Sequence, residues 1–317
     1  MEYRKLISFG KSSFVVSLPK TWVVQNKLKK GDLIYFDEKD NNLFLSFNEN
    51  KHDEEKKKII DVDGKEFFQI KRELNAAYIE NYREIVFKGK EIRDKSKEIL
   101  EYVRELIALE VLEIDSTKIV TKDFLDMDHV SVQDLVKKMD IIIRSMLKDC
   151  SLTFQENNSD NLNLRDKDVN RLSYLLYRAI RFGIGNPSKM LKNFGISAID
   201  LLNYYWLTFH LEAIADEAKR VARTMSKINL SKDKQQEIEQ LLRQSEDLYL
   251  EIIKAYYKND QERGLQLSNK KHLLVRTAND FLEKNHTKNN GELGYMIDRY
   301  RRMVSAIHEI SRLTYQH

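Results

Sequence analysis

Glu212 and Asp216 stand four residues apart in LEAIADEAKRVAR, residues 211–223. On a helix that spacing stacks the two carboxylates on one face. Carboxylates held so close repel unless they face water or share a cation, so the pair is a candidate half of a cation site. A solvated acidic face is the alternative, and both readings stay open. A second set of chemistry-bearing residues lies far upstream. Within residues 1–30 the bases are Arg4, Lys5, Lys11, Lys20, Lys27, Lys29 and Lys30, against the single acid Glu2. Seven minus one is +6, whereas all 317 residues net +4, so the rest of the chain nets −2. Concentrated positive charge of this kind suits phosphate groups. A solvated lysine face is the plainer alternative.

Other catalytic chemistry finds little support. A di-iron bundle enzyme needs Glu-x-x-His pairs on two helices. The chain offers one match, Glu283-Lys-Asn-His286, running into a polar His-Thr-Lys-Asn-Asn-Gly stretch. The seven histidines show no ligand spacing, and His210 beside Leu211-Glu212 is either a metal neighbour or a partly exposed helix histidine. No phosphate loop stands out, and no nucleophile with its base can be assembled. An enzyme is not expected.

The elements that must position these residues follow from composition and periodicity. Two prolines and ten glycines in 317 residues are too few for a turn-rich sheet protein, so most of the chain is expected to be helical. Charged residues at 33% exceed the usual share of about 25%, as solvated helix faces require. The single cysteine, Cys150, excludes an intrachain disulfide and suits a reducing cytoplasm. No apolar run approaches the length of about 18 residues that a membrane span needs, and MEYRKLISFGK does not read as a signal peptide. A cytoplasmic protein, not integral to a membrane, is expected.

Leu6–Ser8 and Phe14–Leu18 are short β-prone runs split by Gly10-Lys11-Ser12. Pro19 ends the second run, since it cannot donate to a ladder. Thr21 is a candidate cap for a helix from Trp22 to about Leu28, closed by Lys29-Lys30-Gly31-Asp32. A hairpin follows, Leu33–Phe36 and Leu43–Phe47 around a turn at 39–42. This β-β-α-β-β module leaves an apolar face and strand edges open and is too small to be stable alone. In that order KSSFVVSLPKTW, the short helix and KKGDLI resemble the AbrB/MazE/SpoVT swapped-hairpin DNA-binding fold. The resemblance covers about 1–48. It implies that two chains interlace their hairpins into one homodimeric unit carrying +12 toward DNA. Under it, Arg4, Lys5, Lys11 and Lys20 are the candidate DNA contacts, with Ser12 as a neutral phosphate donor.

Residues 49–58, ENKHDEEKKK, read as a linker or a solvated helix start. A small α+β segment follows, expected as strand 58–62, helix 67–82, strand 84–87, helix 92–106, strand 111–116 and strand 119–121. From Val130 the apolar period is helical. Val132, Leu135, Val136, Met139, Ile142, Ile143, Met146 and Leu147 mark one helix, Val169, Leu172, Leu175, Leu176 and Ile180 a second, and 196–227 a third. After Asn229 and Ser231 the order restarts with helices at 232–257, 260–284 and 291 onward. Two sets of three suggest an internal repeat. The 211–223 segment resembles the characteristic helix of PhoU proteins, the phosphate-signalling regulators. That resemblance, covering about 129–317, implies a metal site. Glu212 and Asp216 would be joined by a second motif from the preceding helix, here Asp166-Lys-Asp-Val-Asn170, in which Asn170 replaces an acid. The metal would be a divalent ion or iron. In the second repeat Asp298 takes the first acid's place but Arg302 the second's, which argues against a second site.

The whole order resembles archaeal PhoU-like phosphate uptake regulators. The expected fold is mainly α with a small β N-terminal domain. It comprises a swapped-hairpin head (1–50), an α+β segment (51–127) and a PhoU-like six-helix body of two three-helix repeats (128–317). The implied function is DNA-binding regulation of phosphate uptake by a homodimer, in transcriptional or transporter-linked control. One alternative is an interaction protein that does not bind DNA and docks on a phosphate transporter or sensor. Another is a metal-binding bundle enzyme.

Overall fold

A computed structural model describes residues 3–11, 13–39, 42–47, 56–156, 158–285 and 291–316. The chain forms two compact units, Met1–Glu55 and Lys56–His317. It is mainly helical, with a small N-terminal β region and a helical C-terminal body. Among the described residues no helix is long and apolar enough to cross a membrane.

The first unit follows the expected order. β1 (Ile7–Phe9) pairs antiparallel with β2 (Ser13–Val15), Ile7 opposite Val15. Then come α1 (Lys20–Gln25) and an antiparallel pair of β3 (Tyr35–Lys39) and β4 (Asn42–Ser46). The helix starts earlier than expected. Pro19 occupies the cap position, so Thr21 lies within α1 and does not cap it. At the other end Lys27 turns to φ 54, Gly31 to φ 100, and the Lys29 backbone N–H donates to Asp32 Oδ2 at 2.7 Å. The two strand pairs are separate two-stranded sheets, and α1 has no buried residue. Ser12, the tip of the second hairpin and most of the expected 49–58 linker lie outside the described residues.

In the second unit β5 (Lys57–Asp61) runs parallel to β6 (Glu84–Lys88), and α2 (Phe67–Ile79) makes the crossover that a parallel pair needs. α3 (Ile92–Val103), β7 (Leu109–Ile114) and β8 (Lys118–Asp123) complete a sheet of order β5-β6-β8-β7. A core of Ile60, Ile70, Phe87, Ile99, Tyr102 and Ile119 fills the space under α2 and α3. Tyr174, from the helical part of the unit, packs against this core. The α+β segment from Lys56 on lies in the same compact unit as the helices.

The helices are α4 (Val132–Ser151), α5 (Ser159–Gly185), α6 (Pro187–Phe194), α7 (Ala198–Met225), α8 (Lys232–Lys258), α9 (Gln261–Ser268), α10 (Lys270–Asn285) and α11 (Gly291–Tyr315). Their starts are written locally. Ser131 accepts from the Asp134 N–H, Ser197 and Asp200 form a reciprocal capping box, and Asp260 accepts from the Arg263 N–H. The i, i+3, i+4 stripes meet in one continuous core running from Val132 on α4 to Ile310 on α11.

Two features were not expected from the sequence. α6 fits between α5 and α7, opened by Pro187 and closed by Gly195 at φ 66. The expected 260–284 helix is interrupted at the single residue Asn269, which parts α9 from α10. α9 lies so close to α11 that a Cβ at Gly264 would meet the Thr314 Cβ at 2.8 Å.

Candidate functional site

α5 and α7 pack side by side and bring the four cation-site candidates to one place. Asp166 is buried on α5, one turn before half-buried Asn170. Asn170 Nδ2 donates to Asp166 Oδ2 at 3.3 Å. Across the seam Glu212 accepts from the Tyr177 hydroxyl at 3.3 Å. The charges of both Asp166 and Asp216 reach Glu212, which places the three carboxylates in one field.

A cation is already present, and it belongs to the chain. Lys219 Nζ lies 2.6 Å from Asp166 Oδ2 and 2.9 Å from Asp216 Oδ1, bridging the two helices. Arg220 takes the other oxygen of Asp216 at 2.6 Å. Burial works against the Lys219 ammonium, but its hydrogen bonds to Asp166 and Asp216 outweigh it and hold its pKa above the ordinary lysine value. Glu212 behaves oppositely. Burial pushes its pKa up, the Tyr177 hydrogen bond resists, and the charges of Asp216 and Asp166 push it further. As arranged, the Lys219 ammonium stands between Asp166 and Asp216 and supplies the counter-charge that a metal ion would bring there. Among the described residues no group of three or more His, Cys, Asp or Glu side chains is placed to hold a metal.

On α11 another acid, Asp298, is held by arginines. Asp298 accepts from Arg302 Nε at 3.0 Å and from Arg301 at 3.3 Å, with Arg299 at 3.8 Å. Between α7 and α11, Glu217 meets Arg220 and Arg299, each at 3.4 Å. Glu217 Oε2 and Arg299 Nε are buried without a hydrogen bond. His210 is half-buried and stacked on Trp206, away from any ligand geometry, and His286 lies outside the described residues.

No family model, curated protein or solved structure matches the chain.

In the first unit Arg4, Lys5, Lys11, Lys20, Lys27, Lys29 and Lys30 are all exposed. Many apolar side chains of this unit are exposed as well, among them Ile7, Phe9, Phe14, Val24, Leu33 and Phe36, with Phe9 and Phe14 at 70% and 68% exposure. The hairpin register puts Phe14 on the face opposite Ile7 and Phe9, so both faces of the first strand pair are apolar.

Sequence reasoning missed three groups. Lys219 was visible at i+3 from Asp216, the spacing of a helical ion pair. Tyr177 and the buried pair Asp123–Arg178 carry no local signal, since each partner lies far away in sequence.

Proposed function

We propose that this chain is a DNA-binding regulator of PhoU-like kind that works as a homodimer, with its N-terminal unit interlaced with that of a second copy. The observation that carries the reading is the first unit itself. Two open strand pairs and a helix without a buried residue leave their apolar side chains in water, next to seven exposed bases. A second copy interlaced with this one would cover apolar side chains on both faces and double the positive charge. In support of the PhoU-like body, three long helices (α4, α5, α7) are followed by three more (α8, α10, α11), and the acid-rich turn of α7 has its counterpart on α11 at Asp298. The phosphate-uptake context rests on the resemblance of residues 211–223 to the PhoU helix. The implied transporter or sensor partner and the cytoplasmic location belong to the same proposal.

The test is binding of the full chain to genomic fragments across a salt series, with sites mapped in cells grown with and without phosphate. Salt-dependent binding, and occupancy that changes with phosphate, support the reading. Absence of binding at low salt removes the DNA-binding part and leaves a protein that docks on other proteins.

A further inference from the structure

The N-terminal half of α7 has two faces. Leu201, Leu207, Leu211 and Ile214 point into the core. On the opposite side Ile199, Leu202, Tyr205, Trp206 and Phe209 fall within one arc of the helix and stay 42–66% exposed. The stripe is ordered by its own ring contacts. Tyr205 meets Trp206 edge-on at 5.7 Å, Trp206 meets Phe209 at 6.1 Å, and His210 stacks on Trp206 at 6.3 Å. Tyr177 of α5 leans on Tyr205 at 5.2 Å and closes one flank. From Ile199 to His210 the only formally charged residue is Asp200, which is engaged in the capping box with Ser197. None of the α7 stripe residues belongs to the carboxylate cluster, which lies further along the helix and is reached from the flank only by the Tyr177 hydroxyl at Glu212.

We propose that this stripe is a self-association surface, on which α7 of a second copy packs antiparallel about a two-fold axis near Tyr205. Area is the first reason. Five side chains of about 200 Å² each, half exposed, present about 500 Å², at the upper end of the largest apolar patch of an ordinary monomer. Two such stripes face to face bury about 1,000 Å², the lower bound of a specific interface, before any rim residue is counted. Shape is the second. The stripe is aliphatic at its start and aromatic at its end. Antiparallel pairing therefore sets Ile199 against the copy's Phe209 and Leu202 against its Trp206, large against small on either side of the axis, where the two Tyr205 rings meet. A surface that complements itself under a two-fold is what an isologous dimer requires. Charge is the third: a neutral stripe offers nothing to select an acidic or basic partner, and nothing to repel its own copy.

The experiment uses the full chain and introduced cysteines. Cys150 is buried, so a thiol reagent reports the new position alone. Tyr205→Cys and Leu202→Cys are treated at micromolar concentration with a bis-maleimide that spans the about 8–10 Å between packed helix axes. Leu265→Cys, exposed on α9, is the control for collisions and for any tethering through the N-terminal unit. The expected result is dimer cross-linking at least about tenfold faster at 205 or 202 than at 265, and loss of that preference when Trp206→Glu is added. Trp206 is half exposed, so this change should leave the melting curve in place, which separates a lost interface from a lost fold. Equal rates at all three positions, or an unchanged preference with Trp206→Glu, would overturn the proposal.

Discussion

The Arg178 guanidinium lies flat against the Asp123 carboxylate, Nη1 to Oδ1 at 2.9 Å and Nη2 to Oδ2 at 2.5 Å, with both side chains fully buried. Arg178 is on α5, whereas Asp123 ends β8, so the pair bolts the helices to the sheet. Asn81 accepts from Arg178 Nε at 2.8 Å, the Tyr78 ring stacks at 4.7 Å, and Arg83 adds a second guanidinium to Asp123. Burial alone would disfavour the charged arginine, but the Asp123 hydrogen bonds hold its pKa above the ordinary value.

Asp123→Ala strands the buried Arg178 charge, whereas after Arg178→Met the Asp123 carboxylate keeps Arg83. Asp123→Ala should cost about 3–5 kcal/mol of unfolding free energy in urea titrations, and Arg178→Met less. The double variant should cost less than the sum of the two. Additive losses would show that the two side chains do not act as a pair.

Lys219 makes a prediction about metals. With the ammonium in place, the protein as purified should carry no stoichiometric metal at Asp166 and Asp216. Lys219→Ala should lose about 3 kcal/mol of stability, because the buried Asp166 loses its counter-charge while Asp216 keeps Arg220. It should regain part of this on adding Mn²⁺ or Mg²⁺, since a ligand that binds only the folded state stabilises it. Elemental analysis and thermal melts with and without the ion check both halves. A metal held by the wild-type cluster would contradict the arrangement.

Glu212 gives a pH signature. Its folded pKa lies above the ordinary 4.5, so the folded chain holds that proton more tightly than the unfolded chain. The resulting stability is fully present below the unfolded pKa and is lost as pH rises through the folded one. Glu212→Gln does not ionise and escapes that loss. It should be more stable than wild type at pH 7 to 8, and the difference should vanish below about pH 4. Denaturant midpoints across that range read the effect, and a gap independent of pH would assign it to packing.

On the proposed DNA-binding face, the exposed Lys11 is the cleanest probe. Each phosphate contact contributes about −0.9 to the slope of log K against log salt. Four to eight contacts in a dimer give about −4 to −7. Lys11→Ala should weaken binding to all sequences alike and flatten the slope by about two units, one per copy. Loss of discrimination at one base pair, with the slope unchanged, would assign Lys11 to base readout.

Much of the architecture is determined locally. The 3.6-residue stripes beginning at Val132 and Val169, the caps at Ser131, Ser197 and Asp260, and the β-branched runs 57–61 and 84–88 each encode their element within a few residues. Such elements could be placed from the sequence to within a few positions. The capping of α1 could not, because Pro19 and Thr21 compete for the same end and only the path of the chain chooses. The break at Asn269 carries no sequence signal, since 260–284 reads as one helix and Asn269 keeps right-handed helical dihedrals, whereas the close approach of Gly264 to Thr314 is decided by tertiary packing. The candidate site divides along the same line. The i, i+4 spacing of Glu212 and Asp216 sufficed to put both carboxylates on one face. That Asp166 meets them, that Lys219 supplies the cation, and that Arg178 finds Asp123 depend on how α5 packs against α7 and β8. Pairwise electrostatics inside a protein depends on distance and burial, and a linear sequence specifies those only between near neighbours along one element.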